Sequence, residues 1–366
     1  MQKPEYKQAA GISQSAIKRF RSMPLIKFKE QFIDRISSKE SVSESLTFGS
    51  LTDTLAFEPE LVNDLFYIPP YDVEFPGDKL KAVMDASYEK IAEIVNNKRL
   101  LNNQGMLPEE IYIPDIYEMG EFKNTFVDVA RELKYGGGKW SANTIYDNCA
   151  GAYRYYSTLV EAAGREVVSF VDSANANQMV NNLKTNPSTI SYFVQQPGET
   201  LIFQQEIYEE YDYEGIKVPL KCAVDIIRLV HKEKTVYIPD LKTTYDVREF
   251  RDQAIKYGYL DQVSFYRYMV GKWLQTFKGG AYKDYVIANL FDIVIDPIVK
   301  VPYIFEFDAE DLDIIEHGSK VKNIKGWRNT LDEICWHIKN NVWTIPKELF
   351  ENGKIKLKFF HDQERG

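Results

Sequence analysis

The 366-residue sequence predicts a mixed α/β fold, with a mixed central sheet flanked by helices and a helical insertion. Three observations carry this. Apolar residues recur at helical spacing up to about residue 164. Short β-rich runs follow from about Ser188, and one long helical stretch then separates two groups of strands.

Near the start, "ISQSAIKRFRSMP" reads as a capped helix. Ser13 precedes Ala16, Ile17 and Phe20, and Pro24 interrupts. In "TFGSLTDTLAFEPE", Gly49 and Ser50 lead into a second helix. Residues 70–164 read as a helical insertion or subdomain within a single domain spanning 1–366. "TLIFQQEIYEEY", "VPLKCAVDIIRLV" and "TVYIPDLKTT" are strands joined by the turn-like "DYEG" and "HKEK". A helix over about Val247–Phe277 comes next, then strands in "DYVIANLFDIVIDPIVKVPYIFEFD" and a last helix at about Gly326–Asn340.

Composition narrows the class. Hydrophobic residues make up 44% and charged residues 27%, ordinary for a globular chain, and 24 Tyr with 21 Phe supply a sizeable core. No window approaches 18 apolar residues and the N-terminus lacks a signal-peptide core, so a soluble cytoplasmic protein without membrane contact is expected. Cys149, Cys222 and Cys335 are too far apart for a CxxC metal site, and "YGGGKW" lacks the spacing of a phosphate loop. The four His residues are scattered, without an HxxxH pair. A net charge of −9 argues against a simple electrostatic nucleic-acid coat, although Lys320–Gly366 carries ten Lys and Arg against six acids.

The chemistry concentrates in "KCAVDIIRLVHKEKTVYIPDLKTT". With "HKEK" as the loop, Asp225 falls opposite Asp240, and alternation puts Lys242 on the same face. Two facing carboxylates repel, and a divalent cation removes that penalty. Such an ion would neutralise a phosphate and acidify a water, with the lysine stabilising developing charge. The competing explanation is a surface Asp–Lys pair on an edge hairpin, beside an acid that caps a helix.

Pro239-Asp240-Leu241-Lys242, with Asp225 upstream, resembles the PD-(D/E)xK nuclease pattern, and in particular its RecB/RecE-like, phage-type exonuclease branch. "ISQSAIKRFRSMP" is similar to the branch's opening S-x-S-x-L-x-x-F-x-x-x-P signature, and "FGSLTDTLAFEPE" to its G-T-x-x-H-x-L-x-L-E-P helix. "QQEIYEE" takes the place of an upstream strand bearing Glu, and "YLDQVSFYRY" resembles its Y-x-x-Q-x-x-x-Y helix. The likeness runs through 200–268 and 12–60 and is essentially absent over 70–150.

The resemblance implies a restriction-endonuclease-like core and a Mg²⁺- or Mn²⁺-dependent exonuclease acting at duplex DNA ends in recombination. Asp225, Asp240 and Lys242 would be catalytic. Asp225, Asp240, Glu206 and Asp53 would bind metal, with Glu209 an alternative to Glu206 and Asp53 standing where the family often has His. Gln262, Tyr266 and Ser13 would support the site or contact DNA, although Tyr266 as core and Gln262 as helix surface fit the helix periodicity too. A homo-oligomer and a single-strand annealing partner are implied as well. A structure-specific endonuclease of the same fold, or an inactive DNA-end-binding scaffold, are the alternatives.

Overall fold

A computed structural model describes residues 6, 9–36, 44–101, 122–322 and 324–354. The chain divides into two compact units, residues 1–40 with 181–366, and residues 41–180. The expected insertion at 70–164 falls inside the second unit. Its residues 102–121, and residues 355–366 of the basic tail, lie outside the described residues.

In the first unit, alternating β-branched and aromatic residues build a long antiparallel hairpin, β1 (Glu199–Tyr213) and β2 (Ile216–Val230). Glu214 and Gly215 both have positive φ, 46° and 83°, which is the two-residue turn that matches strand twist. Strand β3 (Thr235–Tyr237) returns along β2 in the register that "HKEK" predicts, with Val230 opposite Thr235 and Arg228 opposite Tyr237. The ladder stops there. Pro239 has no N–H to donate, and the chain leaves this sheet before resuming as β4 (Asp240–Thr243).

Strand β5 (Val286–Ile287) runs parallel to β3 and completes a four-stranded sheet in the order β1-β2-β3-β5. A second, three-stranded sheet contains β4, β6 (Phe291–Ile295) and β7 (Tyr303–Glu306). Strand β4 is parallel to β6, and Asp240 lies opposite Asp292. The expected ladder pairing of Asp225 with Asp240 is therefore not formed. The break at Pro239 moves Asp240 into the other sheet.

Helix α1 (Gln14–Phe20) is capped as predicted, Ser13 Oγ accepting from the Ala16 amide at 3.3 Å. Just before it, Ile12 bridges to Leu220 on β2, and Gly11 allows the approach. A Cβ on Gly11 would lie 3.0 Å from the Leu220 carbonyl carbon, and its φ of +144° suits only glycine well. The expected helix at Val247–Phe277 is two helices, α2 (Phe250–Tyr257) and α3 (Tyr259–Thr276), because Gly258 takes a left-handed conformation between them. Helices α4 (Ala309–His317) and α5 (Trp327–Asn340) follow.

Ile17 and Phe20 of α1 join Ile227 of β2, Phe265 and Met269 of α3 and Trp327 of α5 in one core. Each large apolar side chain buried there contributes about 1.5–3 kcal/mol. A smaller cluster of Val247, Phe250, Ala254 and Val294 packs α2 onto the second sheet.

The second unit is chiefly helical. Helices Asp78–Leu101, Lys123–Glu132, Ala142–Gly151 and Tyr153–Ala162 bury Met84, Ile91, Phe126, Tyr155 and Tyr156 together. Helix Glu44–Phe57 runs through Gly49 and Ser50 rather than starting after them. "YGGGKW" is a turn, with Gly136 and Gly137 at positive φ. Among the described residues, no helix is long and apolar enough to cross a membrane. All three cysteines are buried and unpaired.

Candidate active site

Although Asp225 and Asp240 belong to different sheets, the chain brings them together. The Leu241 backbone amide donates to Asp225 Oδ2 at 3.1 Å, so the carboxylate replaces a missing ladder bond at the start of β4. Gln204 donates to the other oxygen, Oδ1, at 3.1 Å. Gln204 is the residue across from Asp225 on β1, and its φ of +47° interrupts the ladder between the Phe203–Ile226 and Gln205–Val224 pairs. A non-glycine residue held in this region is strained, and such strain concentrates at functional sites.

Asp240 is only 2% exposed. Lys242, two residues on and on the same face, pairs with Asp240 Oδ2. Gln262, on the first turn of α3, ties the two together. Its Oε1 accepts from Lys242 Nζ at 3.1 Å, while its Nε2 donates to Asp240 Oδ1 at 3.3 Å and to Tyr266 Oη at 2.9 Å. The helix break at Gly258 sets where that turn begins. Lys242 Nζ also lies 4.7 Å from the centre of the Tyr259 ring.

Burial on its own would lower the Lys242 pKa, but Asp240, Asp292 and Asp225 outweigh it and hold the ammonium charged beyond the usual lysine range. Burial, with Asp240 and Asp225 adding to it, drives the Tyr266 phenol well up, so it stays protonated. Tyr266 is thus both core and site, packed in the main cluster with its hydroxyl on Gln262. Gln262 is not a helix-surface residue.

Asp292 on β6, opposite Asp240, is the acid beside this group that the sequence did not reveal. It is fully buried, and neither carboxylate oxygen has a hydrogen-bond partner among the described residues. Burial pushes its carboxyl well above the usual range, Lys242 opposes that shift and Asp240 adds to it. The only sequence signal is an acid inside an otherwise apolar strand, "LFDIVI".

The other predicted residues are placed as follows. Glu206 lies across from Ala223, so the strand period puts it on Asp225's face and Glu209 on the opposite one. Its carboxylate accepts from Tyr208 Oη at 2.8 Å, and its charge acts on Lys221 and Tyr6. Ser13 contributes, with Gln262, Tyr266, Lys221 and Arg35, to the wall of a cavity of about 380 Å³. Asp53 is half-buried on helix Glu44–Phe57 of the other unit.

The donor set suits a hard cation. Asp225 and Asp240 offer carboxylate oxygens with lone pairs to spare, and Asp292 adds two oxygens without a hydrogen-bond partner among the described residues. Among the described residues, no three His, Cys, Asp or Glu side chains are already gathered around one point. A Mg²⁺-type ion needs only one or two carboxylates, with water and phosphate completing its shell.

No family model matches the sequence, and no curated protein matches it. One similar solved structure, "Crystal structure of SSO0001", is 14% identical over 61% of this chain and 81% of that chain. Its TM-score is 0.21, too low to carry any argument about fold or chemistry.

Proposed function

We propose that this chain is a divalent-metal-dependent nuclease with a restriction-endonuclease-like PD-(D/E)xK core, hydrolysing phosphodiester bonds at duplex DNA ends. One observation carries the reading. Asp240, Lys242 and Gln262 form a hydrogen-bonded group from two elements, and Asp225 of a third accepts from the Leu241 amide that lies between Asp240 and Lys242. An incidental surface pair does not account for an acid that is 2% exposed and held by a lysine and a glutamine together.

When bound, Mg²⁺ or Mn²⁺ would neutralise the scissile phosphate and lower the pKa of a coordinated water. Asp225 and Asp240 would hold it. Lys242, kept charged by its acidic neighbours, would donate to the attacking oxygen or to charge growing on the phosphate. Gln262 fixes the lysine's direction, and Tyr266 fixes Gln262. Assembly with further copies of the chain, and work beside a single-strand annealing protein, follow from the family resemblance alone.

The test compares linear duplex DNA with covalently closed circles in Mg²⁺ or Mn²⁺. Progressive loss of the linear form, with circles untouched, is the expected result. Cutting of closed circles would replace exonuclease with endonuclease. Binding of ends without hydrolysis in any divalent ion would overturn the enzymatic reading in favour of a scaffold.

A further inference from the structure

Asp292 is a buried acid that no structural task explains. Asp296, four residues on, shows what a structural buried acid looks like here. It is 1% exposed, and its oxygens accept from the Val247, Ile298 and Val299 amides. Glu316, 6% exposed, is held by Arg267 and Arg328. Among the described residues, Asp292 has no comparable partner. On β4 its neighbour across the ladder is another buried acid, Asp240, and on β7 it is Phe305, whose ring offers no donor. A buried carboxyl without a donor keeps its proton unless a cation compensates its charge.

Register decides which way it points. Parallel partners share a face, so Asp292 projects from the same side of the sheet as Asp240 and Lys242. Lys242 acts on Asp292, and it is already paired with Asp240 and Gln262. With Asp225, three carboxylates act on one ammonium. Ionised together, they leave the charge that a single divalent cation supplies.

We propose that Asp292 is a ligand of the metal centre, sharing a divalent cation with Asp240. The repulsion that the sequence assigned to Asp225 and Asp240 belongs to the pair Asp240 and Asp292, and so does the remedy. The choice of a Mg²⁺-type ion rests on the nuclease reading, but the binding of a cation by Asp292 can be tested without catalysis.

Calorimetric titration of the EDTA-treated, dialysed full chain with Mn²⁺ is the direct test. Wild type is expected to bind, and Asp292→Asn to bind at least about tenfold more weakly with its far-UV circular dichroism unchanged. A folded Asp292→Asn protein that binds Mn²⁺ with wild-type affinity and stoichiometry overturns the proposal, as does a wild type that binds none. If the variant does not fold, anomalous scattering from wild-type crystals soaked in Mn²⁺ decides. A peak about 2–2.5 Å from an Asp292 oxygen supports the assignment, and a peak elsewhere refutes it. Wild type that binds Mn²⁺ through Asp292 but cleaves no DNA would sink the nuclease reading alone. Full cleavage with unchanged Mn²⁺ binding in Asp292→Asn would sink this assignment alone.

Discussion

Gln262 and Lys242 are joined by a 3.1 Å hydrogen bond across 20 residues of sequence, and the same glutamine amide donates to Asp240. A helix side chain therefore sets the distance between an acid and a base that already share a strand. Replacing Gln262 with Ala is expected to lower Mn²⁺ affinity about 10–100-fold, the range for losing a partner that orients a metal ligand. Glutamate in its place keeps the acceptor for Lys242 but loses the donor to Asp240. Calorimetry on both variants separates the two bonds, and wild-type binding by Gln262→Ala would show that the bridge is dispensable.

Lys242→Ala should leave Mn²⁺ binding measurable while reducing cleavage of linear duplex DNA at least about 100-fold. Arginine is not expected to rescue it, because a planar guanidinium cannot occupy the small space between Asp240, Gln262 and the Tyr259 ring. Robust cleavage by Lys242→Ala would remove the lysine from the mechanism.

Gln204 couples backbone strain to the site. Glycine there relieves a positive φ worth about 1–2 kcal/mol, but loses a hydrogen bond to a carboxylate worth about 1.5–3 kcal/mol. The two nearly offset, so the melting temperature of Gln204→Gly should stay within a few degrees of wild type while cleavage falls. A large loss of stability with full activity would make Gln204 a purely architectural residue.

Away from the site, Glu316 provides a pH signature. Burial on its own would raise its pKa, but hydrogen bonds and charge from Arg267 and Arg328 win and lower it. A carboxyl with a folded pKa below its unfolded one stabilises above the unfolded value and loses that contribution as pH falls through the folded value. Glu316→Gln should therefore cost about 2–3 kcal/mol at neutral pH. The gap between variant and wild type should close progressively below about pH 4.5, the ordinary glutamate value. Urea melts at pH 7 and pH 3.5 measure it, and a gap that stays constant would refute the assignment.

How much of this was legible in the sequence depends on distance along the chain. The β2–β3 register followed from the "HKEK" loop, because a short turn fixes every pair beyond it. The same extrapolation failed at Asp240, where Pro239 ends the ladder, although a proline in a strand is itself a visible warning. Gly258, which splits the expected long helix, was visible in the same way. Asp292 was not. Its partnership with Asp240 is parallel and spans 52 residues, and no local spacing rule connects the two strands. Alternation along β1 turns Glu206 and Glu209 to opposite faces, with Glu206 on the face of Asp225.

The bond from Leu241 N to Asp225 Oδ2 makes that one amide proton a reporter on the site. Its exchange with solvent should slow or quicken with whatever Asp225 is bound to, because no strand partner among the described residues protects it on that side. Hydrogen–deuterium exchange at Leu241 would then register occupancy of the carboxylate in a protein that is not turning over, and without a substrate having been identified.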